Sequence, residues 1–133
     1  MREILFRGKT TRSNIWVYGH YSTNYGTGNT EIREKAECCF VEVIPETIGQ
    51  YTGLTDKNGN KIFEGDIHER EGRLFVVKHG KFESFANIES RYGWYFEAIK
   101  DGVTEEFYGD EEKYVNIIGN IHDNPELLKG GEG

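Results

Sequence analysis

Between Gly65 and Gly119 the glycines of this chain fall at positions 65, 72, 80, 93, 102, 109 and 119, seven to thirteen residues apart. The runs between them, DIHERE, RLFVVKH, KFESFANI, WYFEAI, VTEEFY and YVNIIGNI, are each about strand length, and most are rich in the β-branched and aromatic residues that strands favour. That tempo leaves little room for helices and predicts an antiparallel meander curling into a small barrel, a shape that hides its edges by closure. Composition agrees: there are 17 glycines and 18 aromatic residues but three alanines and five leucines, the two residues helices draw on most. Ile, Val, Leu and Phe together number 32 of 133 residues, above the roughly 20% below which a chain stays disordered. The length suits one domain or two very small ones, with core enough to fold without disulfides.

The first part of the chain reads as strands too. ILF (4–6) opens, RGKTTRSN turns, and IWVYGHY (15–21) is a second strand. STNYGTGNT (22–30) is expected to be a mobile loop, EIREKA (31–36) either one helical turn or the start of a strand, and CCFVEVI (38–44) a strand. ETIGQYTGL (46–54) continues extended, and Asn58-Gly59 within DKNGNKI predicts a hairpin with a type I′ turn, because both residues tolerate positive φ. At the C-terminus, Asn124 suits a helix cap, Pro125 the first helical position and Glu126 the positive end of the dipole. One short helical turn is expected there, with Leu127 and Leu128 under the sheet. The resulting organisation is an N-terminal β module over 1–50, a small barrel over 51–128 and a flexible tail over 129–133.

The net charge of −7 is unevenly placed. Residues 1–47 carry six basic and six acidic groups, whereas 48–133 carry ten against seventeen. Asp101, Glu105, Glu106, Asp110, Glu111 and Glu112 crowd into DGVTEEFYGDEE (101–112). A surface of this sign repels phosphate, which disfavours duplex nucleic acid. The run reads as a solvated loop between strands, or more sharply as an acidic docking surface for a partner. No apolar run approaches a membrane span and MREILFRGKT lacks a signal-peptide stretch, so a soluble, cytoplasmic protein is expected. Cys38 and Cys39 are adjacent, point to opposite faces of a strand, and suit neither a shared tetrahedral metal nor a mutual disulfide.

Templates for chemistry mostly fail. Gly26-Thr27-Gly28 begins a dinucleotide fingerprint, but Glu31 occupies the third glycine's place. No G-x-S-x-G occurs, and His20, His68, His79 and His122 stand alone without metal-ligand spacing; His68 and His79 flank a predicted hairpin that would let them approach across strands, but they read as surface or partly packed histidines. No cofactor and no metal are expected. Glu64 and Asp66 share a face if extended, the minimum for acid–base work; the competing reading makes Asp66 a backbone acceptor after the Gly65 bend. Phe85, Tyr92, Trp94, Tyr95 and Phe96 mingle with Lys78, Lys81, Arg91 and Lys100, the ingredients of a stacking platform for single-stranded nucleic acid. With leucine so scarce, the same rings are needed in the core.

IGQYTGLTDKNGNKIFEGDI (48–67) and IIGNIHDNPELL (117–128), with REILFRGK and WVYGHY near the start, closely resemble the YopX family of phage and prophage proteins. Segments 22–37 and 68–113 carry no matching signature. The resemblance implies a mainly β protein whose C-terminal part is an SH3-like small barrel, and it implies no catalytic residue. Within the matched motifs, Gly53, Asp56, Asn58, Gly59, Glu64, Gly65, Asp66, Gly119, Asn120, Asn124 and Pro125 read as architecture: turns, a bend, backbone acceptors, a close strand approach and a helix start. The expectation is a non-enzymatic accessory protein acting on a host or phage protein, with self-association left open. The alternatives are a single-stranded nucleic-acid binder and a hydrolase built on Glu64, Asp66 and a histidine.

Overall fold

The computed structural model describes residues 4–34, 40–83 and 90–130. They form a mainly β, antiparallel protein that divides into two compact units, Met1–Gly53 and Leu54–Gly133. Cys38, Cys39, Phe85 and the last three residues of the tail lie outside the described residues.

In the first unit the strands β1 (Phe6–Lys9), β2 (Trp16–Thr23), β3 (Thr30–Arg33), β4 (Val41–Glu42) and β5 (Gly49–Thr55) lie in the order β4-β3-β2-β1-β5. β1 begins later than the apolar ILF predicts and runs through two cations. Arg7 and Lys9 are buried there because Trp16, opposite Lys9 in the register, offers its ring to both, at 4.5 Å and 5.5 Å. The segment expected to be a mobile loop is a hairpin connection. β2 and β3 extend into it to Thr23 and from Thr30, and Asn24 Oδ1 accepts the N–H of Gly26 (2.8 Å) and of Thr27 (3.2 Å). EIREKA opens as strand β3. Gly8 lies against Ile32, Val43 and Ile48, and an isolated bridge joins Thr10 to Val43. A 3-10 turn, Pro45–Thr47, leads into β5.

β6 (Lys61–Phe63) is the hairpin partner of β5. The turn between them departs from type I′. Gly59 has φ +84°, but Asn14 and Glu71 alone among the described non-glycine residues have positive φ, so Asn58 stays in the ordinary region. The Gly59 N–H donates to the Asp56 carbonyl (3.1 Å) and the Asp56 N–H to the Asn60 carbonyl (2.8 Å), which makes a three-residue loop, a type I turn closed by a left-handed glycine. Asp56 selects it, because its Oδ1 accepts the N–H groups of Asn58 and Asn60.

β7 (Asp66–Arg70), β8 (Arg73–Glu83), β9 (Ser90–Ala98), β10 (Thr104–Glu106) and β11 (Ile117–Asn120) make the second sheet, in the order β10-β9-β8-β7-β11. The type I′ turn occurs here, between Arg70 and its register partner Arg73, where Glu71 and Gly72 have φ +53° and +82°. The glycine tempo thus marks real hairpins, but no closed barrel is found among the described residues. Instead the sheet is curled: Arg70 on β7 and Glu105 on β10, with two strands between them in the order, meet in a bidentate pair at 2.8 and 2.5 Å. The concave face holds the core, Ile62, Phe75, Val77, Phe96, Ala98 and Val115, with Leu54, Trp94, Phe107, Tyr114 and Ile117 at its margin. The C-terminal helix, α1 (Leu127–Gly130), is a single turn, and Leu128 is 42% exposed rather than tucked under the sheet.

Candidate interaction surface

The β8–β9 hairpin is the longest feature of the second unit, and its register, Phe75↔Ala98 through Glu83↔Ser90, fixes which side chains share a face. Phe75, Val77, His79 and Lys81 alternate along one face of β8, opposite Ala98, Phe96, Trp94 and Tyr92 of β9. The first half of this row is buried core. Past Val77 the same row emerges into solvent, where His79 packs at 4.6 Å from Trp94 and 5.3 Å from Tyr92, edge-on to the latter. Tyr92 is 77% exposed. On the opposite face Phe82 and Tyr95 stack at 4.7 Å and are buried. The sequence cluster of rings and cations therefore splits. Tyr95 and Phe96 belong to the interior, whereas exposed Tyr92 and His79 form a ladder with Trp94, which is half-buried at the core margin.

Two of the four cations of that cluster are in ion pairs. Lys78 Nζ lies 2.6 Å from Glu97 and Arg91 3.3 Å from Glu106. Lys81 and Lys100 are exposed and have no ion pair among the described residues. His68 and His79 do not meet across strands, because His68 is opposite Phe75 and His79 opposite Trp94.

The acidic run is only in part a solvated loop. Its first carboxylates pair with arginines: Asp101 with Arg73 at 3.0 Å, Glu105 with Arg70, and Glu106 with Arg91, the last two from strand β10. Glu111 turns inward and is fully buried, where its carboxylate accepts the N–H groups of Tyr108 (2.7 Å) and Gly109 (2.9 Å). A buried clamp of this kind cannot face a partner. Asp110 and Glu112, exposed beside the 3-10 turn Glu111–Lys113, are what remains of the acidic docking surface.

Sequence reasoning gave His68 no role in the core. Its ring is 1% exposed, among Phe75, Phe96 and Tyr114, with Nδ1 accepting the Asn116 N–H at 2.9 Å and Nε2 buried without a hydrogen-bond partner among the described residues. Burial holds its pKa below the ordinary histidine value, since a charged ring there would be desolvated. Burial and the nearby Glu111 push the Tyr114 phenol up to about 12. Arg70, beside this group, is held charged more firmly by its hydrogen bonds to Glu105.

The matched motifs form turns and bends held by backbone hydrogen bonds. Asp56, 2% exposed, also receives the Ile117 N–H on Oδ2 at 3.2 Å, and so ties the β5–β6 turn to the start of β11; Asn58 reaches Asn116 at 3.4 Å. Gly53 (φ +90°) lies within β5. Gly65 donates its N–H to Val77 and accepts the Ile121 N–H, both at 2.9 Å. Asp66 is buried and accepts the Phe63 N–H at 2.7 Å, the backbone-acceptor arrangement, while Glu64 beside it is half-buried. A Cβ at Gly119 would stand 2.3 Å from Asn124 Oδ1, the close approach expected there, but the partner is a side chain rather than a strand. That same Oδ1 accepts the Asn120 N–H (3.2 Å), so Asn124 points back to β11 instead of capping the helix. Asn120 Oδ1 in turn receives the N–H groups of His122 and Asp123, and the Pro125 carbonyl receives that of Leu128.

Among the described residues no group of three or more His, Cys, Asp or Glu is placed to hold a metal ion, and no helix is long and apolar enough to cross a membrane. A search of curated proteins finds no match to this chain. The profile described as YopX protein matches residues 5–129, nearly the whole length, including the Asp56 turn, the Gly65 bend and the Asn120–Asn124 connection. By that match, this chain belongs to the YopX protein family.

Proposed function

We propose that this YopX protein is a phage- or prophage-encoded accessory protein of the bacterial cytoplasm, a non-enzymatic module that binds another protein through the exposed end of the β8–β9 ribbon. The observation that carries this reading is the His79–Trp94–Tyr92 ladder, a core-like row of rings that continues past the core into solvent. Exposed aromatic residues on a rigid strand pair are the common anchors of protein interfaces. Nucleic acid is the second reading, and the ion pairs argue against it: with Lys78 and Arg91 engaged by Glu97 and Glu106, Lys81 and Lys100 are left to track a phosphate backbone. The hydrolase reading loses support from Asp66, which is buried and bonded to a backbone N–H. We also read the second unit as SH3-like: a four-strand meander, a 3-10 turn and a last strand returning beside the first support that kinship.

The test is a photo-cross-linking residue placed at Tyr92 and, as a control, at the fully exposed Tyr25 in the β2–β3 turn, with the protein expressed in the bacterial host. A discrete protein adduct at Tyr92 and none at Tyr25 is the expected result. Salt-sensitive binding of an oligonucleotide to the purified chain, with no adduct at Tyr92, would transfer the assignment to nucleic acid.

A further inference from the structure

We infer that the outer end of the β8–β9 ribbon, residues 81–83 and 90–92, is a strap that swings on a paired-glycine hinge and is shut in this structure. Gly80 stands directly opposite Gly93 in the register, so no side chain spans the ribbon at that point. Both have positive φ, +144° and +155°, a conformation that residues with side chains rarely adopt. Nothing lies within 4 Å of a Cβ built at either position, so backbone conformation rather than crowding calls for glycine there.

The bend at this pair is large. Phe82, Arg91 and Tyr95 share a face, and Phe82 is opposite Arg91, four residues before Tyr95. A flat ribbon would separate Phe82 and Tyr95 by about 13 Å along its length. Their rings instead stack at 4.7 Å, and both are buried. Thr104 of β10 is opposite Glu97, which is itself opposite Val76, seven residues before Glu83. In a flat sheet that distance is about 23 Å, yet the Thr104 hydroxyl donates to the Glu83 carbonyl at 2.6 Å. Arg91 likewise reaches Glu106 of β10, at 3.3 Å. The ribbon end is therefore folded back toward β10.

Base and end are held differently. Before the glycines, Phe75 and Val77 with Phe96 and Ala98 are core. Beyond them the described clasp is a ring stack, an exposed hydroxyl–carbonyl bond and a half-exposed ion pair, polar interactions that water weakens. A clasp of this kind leaves an open state populated at roughly 0.1–10%. There the ribbon straightens, the glycines return to the ordinary extended region, and the Phe82 and Tyr95 rings part. The hinge also divides the ring ladder: His79 and Trp94 belong to the base, and Tyr92 to the moving end. Shut, the strap holds Tyr92 rigidly beside His79; open, it breaks the row. The motion belongs to the free chain and is independent of the interaction reading above.

The experiment uses the full chain in solution. Relaxation dispersion of backbone amides, which reports μs–ms exchange, should show exchange at residues 81–83 and 90–92 and flat profiles at 75–77 and 96–98. Gly80→Ala and Gly93→Ala add strain to the bent conformation alone, and each should raise the open-to-shut ratio roughly five- to hundredfold, read as loss of nuclear Overhauser contacts between the Phe82 and Tyr95 rings. Thr104→Val removes one bond of the clasp without touching the hinge and should raise that ratio about fivefold. Retained contacts between Phe75 and Phe96, 6.3 Å apart in the core, check that each variant is folded. If the glycine variants do not fold, the parent profile and Thr104→Val decide the matter. Flat profiles at the ribbon end, exchange spread equally over base and end, or Phe82–Tyr95 contacts at full strength in a folded Gly80→Ala would each overturn the hinge.

Discussion

Asp56→Ala and Asp56→Asn test the claim that the family motif is a mechanical joint. In the native protein Oδ1 holds two N–H groups of the exposed turn, and Oδ2 holds the half-buried Ile117 N–H that starts β11. Water replaces the carboxylate at the two exposed donors, so their loss costs about 0.5 kcal/mol each, whereas the Ile117 donor loses its charged acceptor for about 2 kcal/mol. Alanine should therefore cost about 3 kcal/mol. Asparagine keeps an acceptor for the turn but loses the bond to Ile117, and should cost about 2 kcal/mol, nearly all of it at that single bond. In urea, with a slope of about 2 kcal/mol/M, the unfolding midpoint falls by about 1.5 M for alanine and about 1 M for asparagine. Native-state amide exchange at Ile117 rises about 30-fold in the asparagine variant, the equivalent of about 2 kcal/mol. An asparagine variant as stable as the parent would refute the reasoning, because it would show that the contact with Ile117 carries no energy.

Glu111→Ala should cost about 2–3 kcal/mol by stranding the Tyr108 and Gly109 donors, and lower the thermal midpoint by roughly 10 °C; a shift below about 2 °C would mean water satisfies them. His68 gives a pH dependence of defined sign. Its folded pKa lies below 6.5 while the unfolded value is near 6.5, so its contribution is full above that pH, falls as pH drops through it and levels off below the depressed folded value. Urea titrations of the parent and of His68→Gln should converge toward low pH, and parallel curves would contradict the assignment. The Arg70–Glu105 pair is about one-third exposed, so Glu105→Gln should cost about 1 kcal/mol or less, a difference that shrinks at high salt; a loss independent of salt would point to packing instead.

The β character of the chain was legible in its glycine spacing because those glycines occupy hairpin turns and bends. The turn types were not. Asn58-Gly59 has the composition of a type I′ turn, yet Asp56, two residues earlier, draws the Asn58 and Asn60 N–H groups to its carboxylate and forces the three-residue alternative. Glu71-Gly72 lacks that composition and takes the type I′ shape because the flanking strands demand a two-residue connection, which places Glu71 at φ +53° at some local cost. The ion pairs of the acidic run were missed for a related reason: its arginine partners lie 15 to 35 residues away in the chain, and only the register of the meander brings them together. The same register sorts the rings. Arg70 opposite Arg73 puts His68 against Phe75, and the separate β8–β9 register carries His79 out to Trp94, an assignment that composition alone does not contain.

The bond from Asp56 to Ile117 spans 61 residues, whereas the hairpins between β7 and β10 close over short loops. Short loops lose little chain entropy on closure and form early, and the distant strand joins afterwards. β11 is accordingly the last piece of the second unit to arrive, docking onto a meander that is already in place. A substitution at Asp56 should then leave the folding rate nearly unchanged and appear as faster unfolding. The motif by which the family is recognised thus governs how long the finished protein stays shut more than how quickly it forms.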